Sequence, residues 1–468
     1  MKRAASWGED RLLGWVPLAV FGISLFTQAM ANYLSFKNPS GDLAIFVQSL
    51  FYSVDFNAFM HNSFEGGGHL GVHFSPALVL LIPLMRIFPT YLTLLITNGL
   101  LLLTATAWLH SHLAKQAPAT ARILLIMLTC HATLSHDTYK DFHALSMMTL
   151  PFVGMFISFE KKHLGGWLCW SLVMVTIREN LFLLVFCWGL ITLVHKRDPR
   201  WYVPLFLISA THFWVANFLM PQIYAGGIRP GIGDYFSQYG QSPSEILAAV
   251  IADPALPLRM VFTLEKARYL LGICLPFLLV LPLFRWCWLL PALPTLGVIL
   301  LSSNGRLADP KLHFSVEVVL WCAVATLQFL RAHETRLQTP GWQRFLKIMA
   351  LLLILHFGIA CTRNLLEISN GLRSERYQSF KTLSAQIPHE INLVAPRYLA
   401  NHLAWRKHIY FLEETNHNNT WPKMDLLMLE TKDADKAPQS WQIQRQEGSL
   451  LLLVPASSRD LEPNPKDL

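Results

Sequence analysis

Seven side chains of this 468-residue sequence stand where apolar runs begin or end and have the types that chemistry needs: Asp42, His73, Asp141, His143, Arg178, Glu179 and His313. A carboxylate at such a boundary can take a proton from a hydroxyl or steady a cationic transition state, and an imidazole beside a carboxylate can relay a proton. Arg178, followed by Glu179 and Asn180, interrupts sequence that is otherwise apolar from 164 to 195. Charges near membrane depth are costly and persist where they pair or serve a cavity, so Arg178 is the candidate for binding a phosphate through both arms of its guanidinium, with Glu179 orienting it or touching substrate hydroxyls. The structural alternative is an Arg178–Glu179 pair that only closes a turn. Asp141 and His143 close the polar stretch 136–143, and His73, His143 and His313 each open an apolar segment, a repetition that suggests one shared cavity. For Asp42 the plain alternative is a helix cap, because Ser40-Gly41-Asp42 precedes an amphipathic pattern.

A second set, His61, Glu65, His69 and His73, is spaced by four and would form a stripe of metal ligands on a continuous helix. Gly66-Gly67-Gly68 breaks that helix, so a divalent metal is a weak alternative and is not indicated. The 7 cysteines lie in apolar stretches without a C-x-x-C pair, and neither a disulfide framework nor a thiolate site is expected. No Gly-rich phosphate loop or Asp-x-Asp motif is present, so no nucleotide cofactor is expected.

The elements that position these groups follow from composition. With 53% hydrophobic residues, 29 Phe, 15 Trp and only 15% charged residues, the chain reads as a multi-pass, all-α membrane protein. Its net charge of +8 sits in short loops between apolar runs, which is the positive-inside pattern rather than a nucleic-acid surface. The N-terminal run imitates a signal peptide but is long for one, so a retained first helix is expected. Taking basic clusters as cytoplasmic gives about eleven spans, at 12–33, 91–109, 121–135, 143–159, 164–177, 181–195, 201–220, 267–284, 286–303, 313–330 and 348–361. The run 74–88 is excluded by parity and by Pro76 and Pro83, and is expected to lie along the outer surface within the loop 34–90.

This arrangement puts the N-terminus inside and places 34–90, 136–142, 178–180, 221–266, 304–312 and everything after Thr362 outside, in the periplasm if the membrane is a bacterial inner membrane. Residues 1–363 would form the transmembrane domain. Residues 364–468 are less apolar and read as a small soluble α/β domain, with strands at 391–395, 409–412 and 426–430, a hairpin over 441–455 and a helix at 397–406. The polar end, 457–468, is expected to fray.

In Asp42-Leu43-Ala44-Ile45-Phe46-Val47-Gln48, Gly71-Val72-His73-Phe74-Ser75-Pro76, Asp141-Phe142-His143, Arg178-Glu179-Asn180 and Lys311-Leu312-His313-Phe314-Ser315, the sequence resembles a bacterial family of predicted multi-pass membrane proteins, domain-of-unknown-function family 2079. The resemblance covers nearly the whole chain. It departs at Arg178, where the family has Lys, at Asn180, where it has Asp, and at Ala144, where Pro is usual. The family is similar in layout to the GT-C membrane glycosyltransferases. What the resemblance implies is inverting transfer of a sugar from a polyprenyl-phosphate donor to a cell-envelope glycan, lipid or protein acceptor. Asp42 would be the general base, Arg178 with Glu179 would act at the leaving phosphate, and His73, Asp141, His143 and His313 would bind substrate. Readings from other classes are a lipid or anion transporter or flippase, an envelope assembly factor that binds through its tail, and a metal-dependent hydrolase using the stripe of His61, Glu65, His69 and His73. The partners expected are membrane lipids and the lipid-linked sugar, with no nucleic acid.

Overall fold

The computed structural model describes residues 2–54, 58–224, 232–414 and 424–456. The chain falls into two compact units, one made of Met1–Ala29, Leu70–Leu78 and Leu95–Thr362, the other of Met30–His69, Val79–Leu94 and Arg363–Leu468. The terminal stretch 457–468 lies outside the described residues.

Long unbroken apolar runs fold as helices because a helix satisfies its own backbone in hydrocarbon. Among the described residues five helices are long and apolar enough to cross a bilayer: Trp15–Leu34, Tyr91–Ala114, Pro199–Ile223, His313–Ala332 and Pro340–Arg373. Helices occur at all eleven expected places, but several are short, among them Pro118–Thr129, Leu164–Val175, Leu181–Val194 and Leu290–Leu301. Two expected spans are corrected. The run 121–135 is two helices, Pro118–Thr129 and Ala132–Tyr139, parted at His131, whose ring nitrogen bonds the Ile273 carbonyl at 3.1 Å. The run 267–284 is bent by 98° between Leu264–Phe277 and Leu281–Trp288. Leu278 and Leu279 take left-handed φ of 54° and 62° at the bend, and Pro282, lacking an N–H, starts the next segment. The run 74–88 forms a short 3₁₀ turn, Pro76–Leu81, and the helix Ile82–Ile87, too short to span.

The core of the first unit is aromatic. Trp188 packs 4.8 Å from Trp321 and 5.3 Å from Trp167, and Phe152 lies 5.2 Å from Trp321. At one end of the bundle His112 bonds Glu160 at 2.8 Å and Arg331 pairs with the same carboxylate, tying three helices together. Glu334 there accepts the N–H groups of Ala119 and Thr120 at 2.9 and 3.0 Å, satisfying orphan donors at the start of Pro118–Thr129. Thr149–Glu160 and Val316–Ala332 both finish at this end, so their opposite ends carry His143 and His313.

The second unit contains a two-residue ladder, β1 (His61–Asn62) against β2 (Gly67–Gly68), and a five-stranded sheet. The sheet comprises β3 (Leu393–Ala395), β4 (Ile409–Phe411), β5 (Leu426–Glu430), β6 (Trp441–Glu447) and β7 (Leu450–Pro455), in the order β4-β3-β5-β7-β6. β3 runs parallel to β4 and β5, and β7 antiparallel to β5 and β6. The unbroken Leu runs of β5 and β7 are buried on both faces, as covered central strands require. Gly448, at φ 52°, turns the hairpin, and any Cβ there would collide with Glu375 and Ser379.

Packing on this sheet fixes an imidazole. The His402 ring lies 4.4, 4.5 and 4.9 Å from the rings of Tyr33, Phe36 and Tyr91, and its Nε2 is 3.1 Å from the Tyr91 hydroxyl. Burial, aided by the Arg376 charge, pushes its pKa down to about 3. A pKa below the unfolded value means that protonation favours the unfolded chain, so stability held at neutral pH is lost as pH falls from about 6.5. At pH 5 the loss is about 2 kcal/mol. Thermal unfolding measured from pH 7.5 to 5 should reveal a fall in Tm that His402→Phe flattens, and an unchanged slope in that variant would exclude His402 as its source.

Candidate functional site

Four turns of the first unit meet at the ends of its helices. His73 and Phe74 lie in the turn after His69–Val72, held by the Ala77 N–H, which donates to the Thr176 carbonyl at 2.8 Å. Gly71 makes the approach feasible, since a Cβ there would strike the Tyr224 carbonyl. Arg178 and Glu179 occupy the tight link between Leu164–Val175 and Leu181–Val194. Asp141 and His143 follow Ala132–Tyr139, and His313 opens the turn into Val316–Ala332.

Glu179 is the hub. One carboxylate oxygen is 2.9 Å from His73 Nδ1, and the other accepts the Phe74 N–H at 3.0 Å. Arg178 Nη2 lies 3.3 Å from both nitrogens of His73, and its Nε is 3.6 Å from Glu179. Burial by itself would push the Glu179 carboxyl up, but the Arg178 guanidinium and the His73 bond outweigh it and hold the group well below the usual carboxylate range. Glu179 is therefore ionised at neutral pH and fixes the orientation of Arg178 and His73. In the second group, His143 Nε2 is 3.1 Å from Asp141, whose other oxygen accepts the Phe142 N–H at 2.8 Å. The His143 ring stacks on His313 with centroids 3.3 Å apart at 28°. Arg178 and His73 lie close enough to His313 to act on it electrostatically. One guanidinium and three imidazoles, steadied by two carboxylates, form a polar island suited to an anion.

Two residues missed in the sequence belong with this island. Tyr235 lies within the field of both Arg178 and Glu179, and its carbonyl accepts bonds from Ser302 Oγ at 2.6 Å and Ser303 N at 3.0 Å. His212 is buried 5.3 Å from the Phe74 ring and within the field of Glu179. Nothing in the pattern around Gly233-Asp234-Tyr235 or within the apolar run 203–214 sets either residue apart.

The remaining sequence candidates belong to the second unit. Asp42 is the first residue of the helix Asp42–Val54, and its N–H donates to Ser40 Oγ at 3.3 Å. Two residues given no role from the sequence set this segment. Asn401 donates to the carbonyls of Asn38 and Ser40 at 2.7 and 2.8 Å. Gln48, fully buried, donates to the Arg406 and Lys407 carbonyls at 3.2 and 3.0 Å and accepts the Ser63 N–H at 2.8 Å. Gln48→Leu strands these groups, and we expect it to cost about 1–3 kcal/mol, read as a lower unfolding midpoint. No shift in that midpoint would exclude the clamp.

The spaced stripe does not form a helical face. His61 and Asn62 are in β1, and the next helix begins only at His69. Glu65 and His69 do pair, at 2.9 Å, with Asn62 donating to Glu65 at 2.6 Å, but exposed His61 stands edge-on to Tyr52, 6.3 Å between ring centroids.

The fold has solved counterparts. It is similar to ArnT from Cupriavidus metallidurans bound to undecaprenyl phosphate, with TM-score 0.54 and 9% identity over 95% of this chain and 98% of that one. It is also similar to the apo form of the same protein, with TM-score 0.50 and 12% identity over 96% and 98%. The likeness to GT-C membrane glycosyltransferases expected from the sequence is thus met at the level of fold. Residues 35–455 match the model of the predicted membrane protein family DUF2079, and the chain belongs to that family. Among curated proteins none matches the sequence.

Proposed function

We propose that this protein is an integral-membrane glycosyltransferase that moves a sugar from a polyprenyl-phosphate donor to a cell-envelope acceptor on the periplasmic side of a bacterial inner membrane. The observation that carries the reading is the island of Arg178, His73, His143 and His313 steadied by Glu179 and Asp141. The fold likeness to a protein solved with undecaprenyl phosphate supports it. The basic-rich turns gather at the helix ends opposite this island, which supports an N-terminus in the cytoplasm and an island facing out.

In this reaction the bond from the anomeric carbon to the phosphate oxygen breaks and a bond from that carbon to the acceptor oxygen forms, with inversion. The acceptor proton passes to the Asp42 carboxylate, and the electron pair of the broken bond stays on the lipid phosphate. Arg178, assisted by His73 or His313, stabilises that growing charge, while Asp141, His143 and Glu179 hold hydroxyls or orient the cations. The test is binding of undecaprenyl phosphate to the purified protein in nanodiscs. Saturable binding that Arg178→Gln weakens at least tenfold supports the reading, and binding indifferent to Arg178 removes its basis.

A further inference from the structure

The 7 cysteines are scattered through apolar runs, and spacing along the chain pairs none of them. The fold brings two together. Cys274 ends the helix Leu264–Cys274, and Cys322 lies within Val316–Ala332. These helices pack side by side, and the 3₁₀ turn that follows Cys274, Leu275–Phe277, packs on Val316–Ala332 as well. A polar contact fixes their register: Ser315 Oγ donates to the Tyr269 hydroxyl at 3.2 Å, and both residues are fully buried. From that contact Cys274 stands about one and a half turns further along its helix, and Cys322 about two turns further along the other. Both helices advance in the same direction, so the two sulfurs arrive at one level, where the thiols are hydrogen-bonding neighbours. Tyr269 lies within the field of both, as this register requires.

A buried cysteine commonly serves as a small apolar side chain. Two features set this pair apart. The thiols face each other across adjacent helices, and Cys274 is the last residue of its helix, a few residues before the left-handed Leu278 and Leu279 and the 98° bend. A helix end beside a bend can make the small backbone adjustment that disulfide geometry demands, which two helix interiors cannot. We infer that Cys274 and Cys322 form a redox pair that closes to a disulfide. On closure both S–H bonds break and one S–S bond forms, and two electrons and two protons pass to the oxidant. Cys274 is half-buried, Cys322 is buried, and Cys322 belongs to a helix apolar enough to cross a bilayer. The oxidant suited to this place is a two-electron acceptor soluble in hydrocarbon, a quinone, which leaves as the quinol. The disulfide ties the bend to Val316–Ala332, the helix whose opposite end carries His313. The inference does not depend on the proposed transferase reaction.

The test uses the full-length native protein in proteoliposomes, with and without decylubiquinone in the bilayer. Samples are quenched in acid and unfolded in detergent, and thiols are alkylated before and after reduction with dithiothreitol, so that peptide mass spectrometry reads each cysteine separately. The fraction of Cys274 joined to Cys322 should rise about tenfold with the quinone and return to its starting value on reduction. It should also exceed that of every other pair among the 7 cysteines. The native chain carries the decision, so a variant that fails to fold cannot obscure it. In Cys322→Ser, as a control, Cys274 should stay open to alkylation without reduction. Full alkylation of both thiols after quinone treatment, a quinone adduct on Cys274 that reduction does not reverse, or a bond from Cys274 to a cysteine other than Cys322 would each overturn the inference.

Discussion

Arg178→Gln should lower the rate of sugar transfer by a factor of about 10²–10³, with Arg178→Lys retaining activity within about tenfold of the native enzyme. The guanidinium is the fixed cation of the island, 3.3 Å from the His73 nitrogens and paired with Glu179. Removing it takes away the charge proposed to stabilise the departing lipid phosphate and also the strongest influence holding Glu179 ionised against burial. In Arg178→Gln the Glu179 carboxyl therefore rises from its depressed value, and any residual transfer should depend on pH differently from that of the native protein. Lysine restores the charge without the fork, and the family resemblance places Lys at this position. Rates measured for the two variants across pH decide the matter. Equal losses in Lys and Gln would mean that the fork geometry, not the charge, is what the reaction uses.

Asp42→Asn should lower kcat by about 10²–10⁴ and leave KM for the donor nearly unchanged. The amide preserves the size of the side chain and its place in the first turn of Asp42–Val54, so a loss comes from removal of a proton acceptor and not from refolding of the helix. The second unit holds this segment through Asn401 and Gln48. Unfolding midpoints of native and Asp42→Asn protein should agree. A loss of activity accompanied by a fall in midpoint, or a change confined to KM, would return Asp42 to the role of a helix-capping residue.

Much of this was legible because a bilayer is an unforgiving solvent. Polar residues at the edges of apolar runs stand out, and His73, Asp141, His143, Arg178, Glu179 and His313 are indeed brought to one polar island of the first unit. The turn at Glu447-Gly448 between Trp441–Glu447 and the apolar run Leu450–Pro455 likewise marks a hairpin. The bend at Leu278 and Leu279 was hidden, since left-handed leucines have no sequence signature and only the surrounding packing imposes them. The clamping roles of Asn401 and Gln48 are hidden for a different reason. Each looks like a solvated polar residue on an amphipathic helix, and only the fold shows the amides buried against backbone carbonyls brought from far along the chain. Tyr235 and His212 join the island through tertiary structure alone.

Bond cleavage in a lipid-linked sugar is the central step of the proposed reaction. The direct measurement supplies the purified protein in proteoliposomes with a panel of polyprenyl-phosphate sugars and native envelope lipids, and follows free polyprenyl phosphate together with glycosylated acceptor. Equimolar appearance of both with native protein, abolished in folded Asp42→Asn, is the predicted result. Intact donor throughout, whether left in place or moved across the bilayer, would contradict it and make the protein a transporter or an assembly factor.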